Sequence, residues 1–306
     1  MIAHSRLTPV RWMLPVLPLV LFGCTKTIPV EQQPYTERVS IESLLEPGTI
    51  PKVYLNRTVP FFTNDQTPSS LFIQDADVRI ASPNGVDVLR PDSTYNGFDC
   101  RWEPFYVGTI AIVENTIYAL HLSYQGRTYT ATATTNLSTV QIESTDYVPE
   151  FQDIYGGHEG IIVNFTDIPG QTNQYRFIMT RPLDNTHETV DDREYRSTCL
   201  ADGETVEVVE IGRFVYFDAN LDGAPVRFVV EPAYTARKDD EGLIYIQSLD
   251  TATAEFYDTL DLQREANINP FVEPVFLNSN VEGAIGIFGA VARSVPVRFV
   301  FPQDAL

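Results

Sequence analysis

Asp218, Asn220 and Asp222, followed by Gly223, stand at the D-x-N-x-D-G spacing that opens a calcium loop. The twelfth position, where a bidentate Glu should complete the coordination, is Val229. The stretch also lies between two strand-like runs, not two helices, so a β-turn with Gly223 at positive φ is the better reading. Glu188, Asp191, Asp192 and Glu194 could attract a hard cation, but a solvated acidic loop explains them more simply. His187-Glu188 lacks a second His at zinc-protease spacing. Gly283, Gly286 and Gly289 precede and interrupt a strand instead of opening a helix, which argues against a phosphate loop and for close backbone approach. Carboxylate pairs occur in any acidic chain and decide nothing about glycoside hydrolysis. With 4 His, 3 Cys and 3 Met in 306 residues, there is little material for soft-metal or nucleophile chemistry. We expect no catalytic residues, no metal site and no cofactor.

Two places remain where side chains could act. Trp102 lies in Cys100-Arg101-Trp102-Glu103-Pro104-Phe105-Tyr106, an aromatic-rich connection. It either packs on a core or domain junction, the commoner outcome, or forms with Phe105 and Tyr106 a surface that stacks on a glycan or peptide. The other is Cys24. Before it stand basic Arg6 and Arg11, an apolar run over 12–22, and Leu21-Phe22-Gly23. The run is too short to span about 30 Å of hydrocarbon and is interrupted by Pro15 and Pro18. The segment resembles a bacterial lipoprotein signal, which implies cleavage before Cys24 and diacylation of its thiol, with palmitate-type chains as the anchor.

Loss of residues 1–23 would remove two positive charges from a chain of net charge −20, leaving −22 on 283 residues. Such a surface repels nucleic acid and anionic lipid. The remaining cysteines, Cys100 and Cys199, fall in different expected domains. An oxidising compartment permits a disulfide, but nothing in the sequence brings them together, so two buried thiols are expected.

The elements that must position these residues are mostly strands. Tyr, Phe, Val, Thr and Ile are frequent, with many Pro and Gly. Residues 24–35 read as a tether. Over 36–145 short alternating runs are separated by turns. Tyr118, Leu120 and Leu122 face one way with His121 opposite, and 128–134 alternate threonine with apolar residues. This predicts an immunoglobulin-like sandwich. Residues 146–306 predict a second β domain, with Ile161, Val163 and Phe165 answered by Tyr175, Phe177 and Met179. Its one helix, over 251–266, has Asp250 as N-cap, Phe256 and Leu260 on its apolar face, and Asn269-Pro270 limiting its end. The expected fold is therefore mainly β: two β-sandwich domains, the second with one packed α-helix.

Several blocks together carry a family resemblance: Ile162-Val163-Asn164-Phe165-Thr166-Asp167, Asn173-Gln174-Tyr175-Arg176-Phe177, and Phe217-Asp218-Ala219-Asn220-Leu221-Asp222-Gly223. Ser248-Leu249-Asp250 follows, then Asn269-Pro270-Phe271-Val272-Glu273-Pro274-Val275, then Asn280-Val281-Glu282-Gly283-Ala284-Ile285-Gly286-Ile287-Phe288-Gly289. With Cys24-Thr25-Lys26, these resemble the DUF4249 family of Bacteroidetes lipoproteins. Ala284 replaces an expected glycine. The resemblance implies an outer-membrane lipoprotein, often encoded near TonB-dependent receptors, with no established activity. The expected role is thus a non-catalytic accessory of such a receptor in nutrient uptake; the alternative is glycan or peptide binding through Trp102. Surface-exposed lipoproteins of the Bacteroidetes often carry acidic residues just after the lipidated cysteine; here the first acid after Cys24 is Glu31 and the only earlier charge is Lys26, so what the resemblance implies is a periplasmic facing over surface exposure.

Overall fold

A computed structural model describes residues 35–60, 63, 67–153, 156–184, 197–218, 222–268, 273 and 275–303. Cys24, the leader, the tether up to residue 34, the acidic segment 185–196 and Asn269-Pro270 lie outside the described residues. The chain divides into two units, Met1–Thr36 and Glu37–Leu306.

The second unit begins with β1 (Val39–Leu45), β2 (Lys52–Arg57) and the single turn α1 (Pro68–Leu71). Next come β3 (Asp77–Ser82), β4 (Gly85–Val88), β5 (Arg90–Asn96), β6 (Arg101–Val107), β7 (Ile117–Tyr124) and β8 (Arg127–Thr134). The later half holds β9 (Ile142–Asp153), β10 (Gly156–Thr166), β11 (Gln174–Asp184), β12 (Thr205–Ile211), β13 (Tyr216–Phe217) and β14 (Pro225–Val230). It ends with β15 (Glu241–Leu249), α2 (Thr251–Ile268), β16 (Ile285–Arg293) and β17 (Val297–Val300).

The protein is mainly β, and its strands form sandwiches. One large sheet runs β12-β11-β15-β16-β1-β2-β6-β5, with β13 on β11 and β17 on β15. A four-stranded sheet, β4-β3-β7-β8, shares a core with the β1 end of the large sheet. Here the expected alternation is met: Tyr118, Leu120, Leu122, Tyr129, Ala131 and Ala133 are buried, while His121 is exposed. A three-stranded sheet, β14-β10-β9, packs over β11, β15 and β17 around Phe165, Tyr175, Phe177, Met179 and Ile244. The other face of the large sheet carries α2, which buries Ala254, Phe256 and Tyr257 against Leu249, Ile287 and Val291.

The two cores are not separate stretches of chain. β1 pairs in parallel with β16, from Ser40↔Ile285 to Leu45↔Ala290. Val281, Ala284 and Phe288 thereby enter the first core, although the sequence assigned all of 146–306 to the second domain. A single large sheet then runs through both sandwiches. The glycines of this segment do what close packing requires. A Cβ on Gly286, whose φ is +136°, would lie 1.7 Å from Ile41 O, and one on Gly289 would lie 1.7 Å from Thr253 Oγ1.

Asp250 joins the layers. Its Oδ1 accepts from Thr253 N at 2.7 Å, capping α2, while Oδ2 accepts from Ala290 N on β16 at 2.6 Å. Residue 250 thus fixes both the start of the helix and its place on the sheet.

Cys100 and Cys199 correct the expectation of two free thiols: they form a disulfide, with Cα atoms 5.6 Å apart. The β5–β6 hairpin carries its tip to the segment around residue 197, where Ser197 Oγ donates to Gly97 O at 3.1 Å. Sequence separation of 99 hid a contact that only this hairpin geometry creates.

Candidate functional site

The aromatic set expected around Trp102 divides. Trp102 is 55% exposed and pairs across the hairpin with Tyr95, itself 45% exposed, their ring centroids 5.3 Å apart. Phe105 and Tyr106 are buried. Tyr106 Oη accepts from Ala76 N at 3.0 Å, and Phe105 lies under Lys52 Nζ at 4.2 Å and edge-on to Tyr54. Trp102 therefore stands at the surface, contrary to the commoner outcome, but with Tyr95 as its partner and without the other two. The missed signal was register: Tyr95 is directly opposite Trp102 across a hairpin whose turn was not read.

Around Asp218–Gly223, only 218, 222 and 223 are described, and Gly223 has φ +70°. Buried Asp167 organises this corner. Its Oδ1 accepts from Tyr175 Oη at 2.7 Å and Asn173 Nδ2 at 3.1 Å, and its Oδ2 accepts from Gly223 N at 2.9 Å. Asp222 Oδ1 takes the Gly170 N–H. These carboxylates are occupied by turn backbones and side chains. Burial, reinforced by the Asp167 carboxylate, drives the Tyr175 phenol well above its ordinary value. Among the described residues no group of three or more His, Cys, Asp or Glu is placed to hold a metal.

A polar interior site lies beneath α2, at a residue that the sequence does not single out. Tyr175, Phe177 and Met179 point into the second core, so Arg176 points the other way, where α2 covers it. It is 4% exposed. Its guanidinium lies 4.0 Å from the centroid of the Tyr257 ring, and Nη2 donates to Gln247 Oε1 at 3.3 Å. Nε is buried and has no hydrogen-bond partner. Among the described residues no carboxylate reaches ion-pair distance of Arg176, although Asp261 and Glu42 are near enough to favour its charge. Burial depresses the arginine's affinity for its proton, and these charges oppose that. Tyr257 Oη donates to Glu42 Oε1 at 2.6 Å; burial and then that carboxylate raise the phenol far above its usual range. Burial also raises Asp261, against the pull of Arg264, which it meets at 3.0 Å.

These groups line a recess of about 700 Å³, together with Leu260 from α2 and with Ile211 and Gly212. An adjoining apolar cleft of about 300 Å³ shares Ile211–Arg213 and Glu231 with it. That cleft runs between 211–216 and 227–233, where, among the described residues, β14 is the edge of its sheet and β12 and β13 pair only with β11. The second sandwich is open along this side, and Ile211 and Phe214 are 50% and 55% exposed there. The clue in the sequence was Phe177-Ile178-Met179. Three consecutive apolar residues mean a strand buried on both faces, and that places Arg176 indoors. Fixed charges, a phenol held protonated and an apolar lip equip this place for binding.

No curated protein matches the sequence. The family model described as a domain of unknown function, DUF4249, matches residues 25–295, and the chain belongs to the DUF4249 family.

Proposed function

We propose that the protein is a non-catalytic lipoprotein of the outer membrane, anchored through Cys24, that partners a TonB-dependent receptor in nutrient uptake. The observation that carries this reading is the leader: basic residues, an 11-residue apolar run and Gly23-Cys24, followed by a short tether and a folded body. No described helix is long and apolar enough to cross a membrane. On this reading attachment rests on the acyl chains, each buried methylene contributing about 0.8 kcal/mol. The role as a receptor partner follows from the expectation attached to the family. Affinity purification from native outer membranes tests it: a TonB-dependent receptor should co-purify, and recovery of the protein alone would count against the partnership. Labelled palmitate should enter the wild type and not Cys24→Ser.

A second reading, glycan or peptide binding at Trp102, is favoured by the exposed ring pair Tyr95–Trp102. Stacking on such a face gives modest affinity. Arrays that bind wild type and Trp102→Ala equally would remove it.

A further inference from the structure

The recess beneath α2 holds a buried cation with no carboxylate at ion-pair distance among the described residues. A buried guanidinium without a carboxylate in contact costs stability, and a well-packed apolar side chain of similar size would be more favourable in its place. Tyr257 and Gln247 offset part of this cost, yet Nε remains unsatisfied. A bound anionic group would satisfy that donor and add to the partial compensation from Glu42 and Asp261, and the recess beside Arg176 is large enough for a small molecule.

The rest of the lining narrows the ligand. Two further cations, Arg213 and Arg264, already meet Glu231 at 3.5 Å and Asp261 at 3.0 Å, and His158 Nδ1, also in the lining, meets Glu231 at 2.9 Å. Glu42 and Glu265 add two more carboxylates, so the lining holds one more carboxylate than it holds arginines. A multiply charged anion such as phosphate would meet net repulsion. A molecule with one carboxylate and one ammonium would satisfy both signs. Leu260 and Ile211 offer apolar surface for a side chain, continuous with the open cleft beyond.

We propose that this recess binds a small zwitterion of the α-amino acid type, as a free amino acid or the end of a short peptide. Its carboxylate meets Arg176 and its ammonium faces Glu42 and Asp261. The proposal does not depend on receptor partnership: a protein that purifies without a receptor could still bind such a ligand, and the reverse.

The test uses the full-length chain in detergent, with thermal shift and calorimetric titration. The probes are the free amino acids, a set of di- and tripeptides, their deaminated carboxylic acids, and inorganic phosphate. Saturable binding is expected for some amino acids or peptides, and much weaker binding for the deaminated acids and phosphate. Tighter binding of tripeptides than of free amino acids would identify peptides as the source. Arg176→Met should weaken binding by about 10- to 100-fold, the range for a lost hydrogen bond to a charged group. It should fold with a melting temperature equal to or above wild type, which a purely structural arginine would not allow. If Arg176→Met does not fold, Glu42→Gln serves, and it should lose the preference for amino acids over their deaminated analogues. The proposal is overturned if no probe binds. It is overturned equally if phosphate or the deaminated acids bind as tightly as amino acids, or if the variant that folds binds and discriminates as wild type does.

Discussion

The first core is closed almost entirely by apolar side chains, whereas the second half of the chain buries charge. Around the first core the buried polar residues are Ser43, Asp87 and Thr135. From residue 167 onward they include Asp167, Asn173, Arg176, Arg181, Glu210 and Gln247. Apolar contacts are non-directional and tolerate substitution by similar volumes. Buried charges are not tolerant, because each loses water and must find its partner in one geometry. The comparison teaches that the first sandwich is held mainly by burial, and that the second uses polar networks to hold an open edge and a recess.

The largest effect that would sharpen this contrast is at Arg181. This side chain is wholly buried, paired with Glu210, and its Nη2 reaches Tyr234 O. Glu210→Ala should cost about 3–5 kcal/mol, because it leaves the buried cation only the longer contact with Asp240 at 3.8 Å, and replacing both Arg181 and Glu210 with apolar residues of matched volume should restore most of it. In the first core, Leu120→Ala should cost about 2–5 kcal/mol through transfer and cavity terms, and no charge-partner change can rescue it. Urea denaturation of the three variants beside wild type would check this. If the double replacement stays as unstable as Glu210→Ala, the two regions do not differ in the way argued.

The strap between the regions comes next. Removing the Cys100–Cys199 bond by Cys199→Ser should cost about 2–5 kcal/mol, since it frees a loop of 99 residues in the unfolded chain. Reduction of wild type should lower its melting temperature and leave that of the variant unchanged. Equal responses would show that the bond does not form in solution.

How much of this was legible depends on how many faces a strand buries. β8 could be read residue by residue, because Thr128 and Thr132 face solvent while Tyr129 and Ala131 face the core. β11 could not, because every residue from 174 to 181 is buried, and the period of two carries no information about a strand covered on both sides. Its odd residues were placed in a core by their apolar type; Arg176 was passed over because a charged residue in a strand reads as solvent-facing. The helix was legible from Ala252, Phe256 and Leu260, but its cover over Arg176 depends on Asp250 bonding to Ala290, a contact between distant segments. The parallel pairing of β1 with β16 is of the same kind: neither strand alone encodes its neighbour.

The hairpin gives a smaller effect with a clear sign. Trp102→Ala should change stability by no more than about 0.5 kcal/mol, as for an exposed residue, whereas buried Phe105→Ala should cost about 3–5 kcal/mol. Comparable losses for the two would mean that Trp102 is packed and that the exposed ring pair is not available to a ligand.

The smallest effect is at the recess and concerns pH. Burial raises Asp261 above the usual carboxylate value, so its ionised form is the disfavoured one in the folded protein. The stability associated with the protonated form is fully present below the unfolded value and is lost as pH rises through the folded one. At neutral pH the carboxylate therefore weighs against folding, and its 3.0 Å contact with Arg264, largely exposed, returns little. Asp261→Asn should raise the melting temperature slightly at pH 7, by no more than about 0.5 kcal/mol in stability. That advantage should shrink as the pH falls through the raised carboxylate range and vanish once the wild-type residue is protonated. A substitution that destabilises at pH 7 would mean that Asp261 offsets Arg176 in the folded state more strongly than burial penalises it. The recess would then be neutralised from within, and the need for an anionic ligand would fall with it.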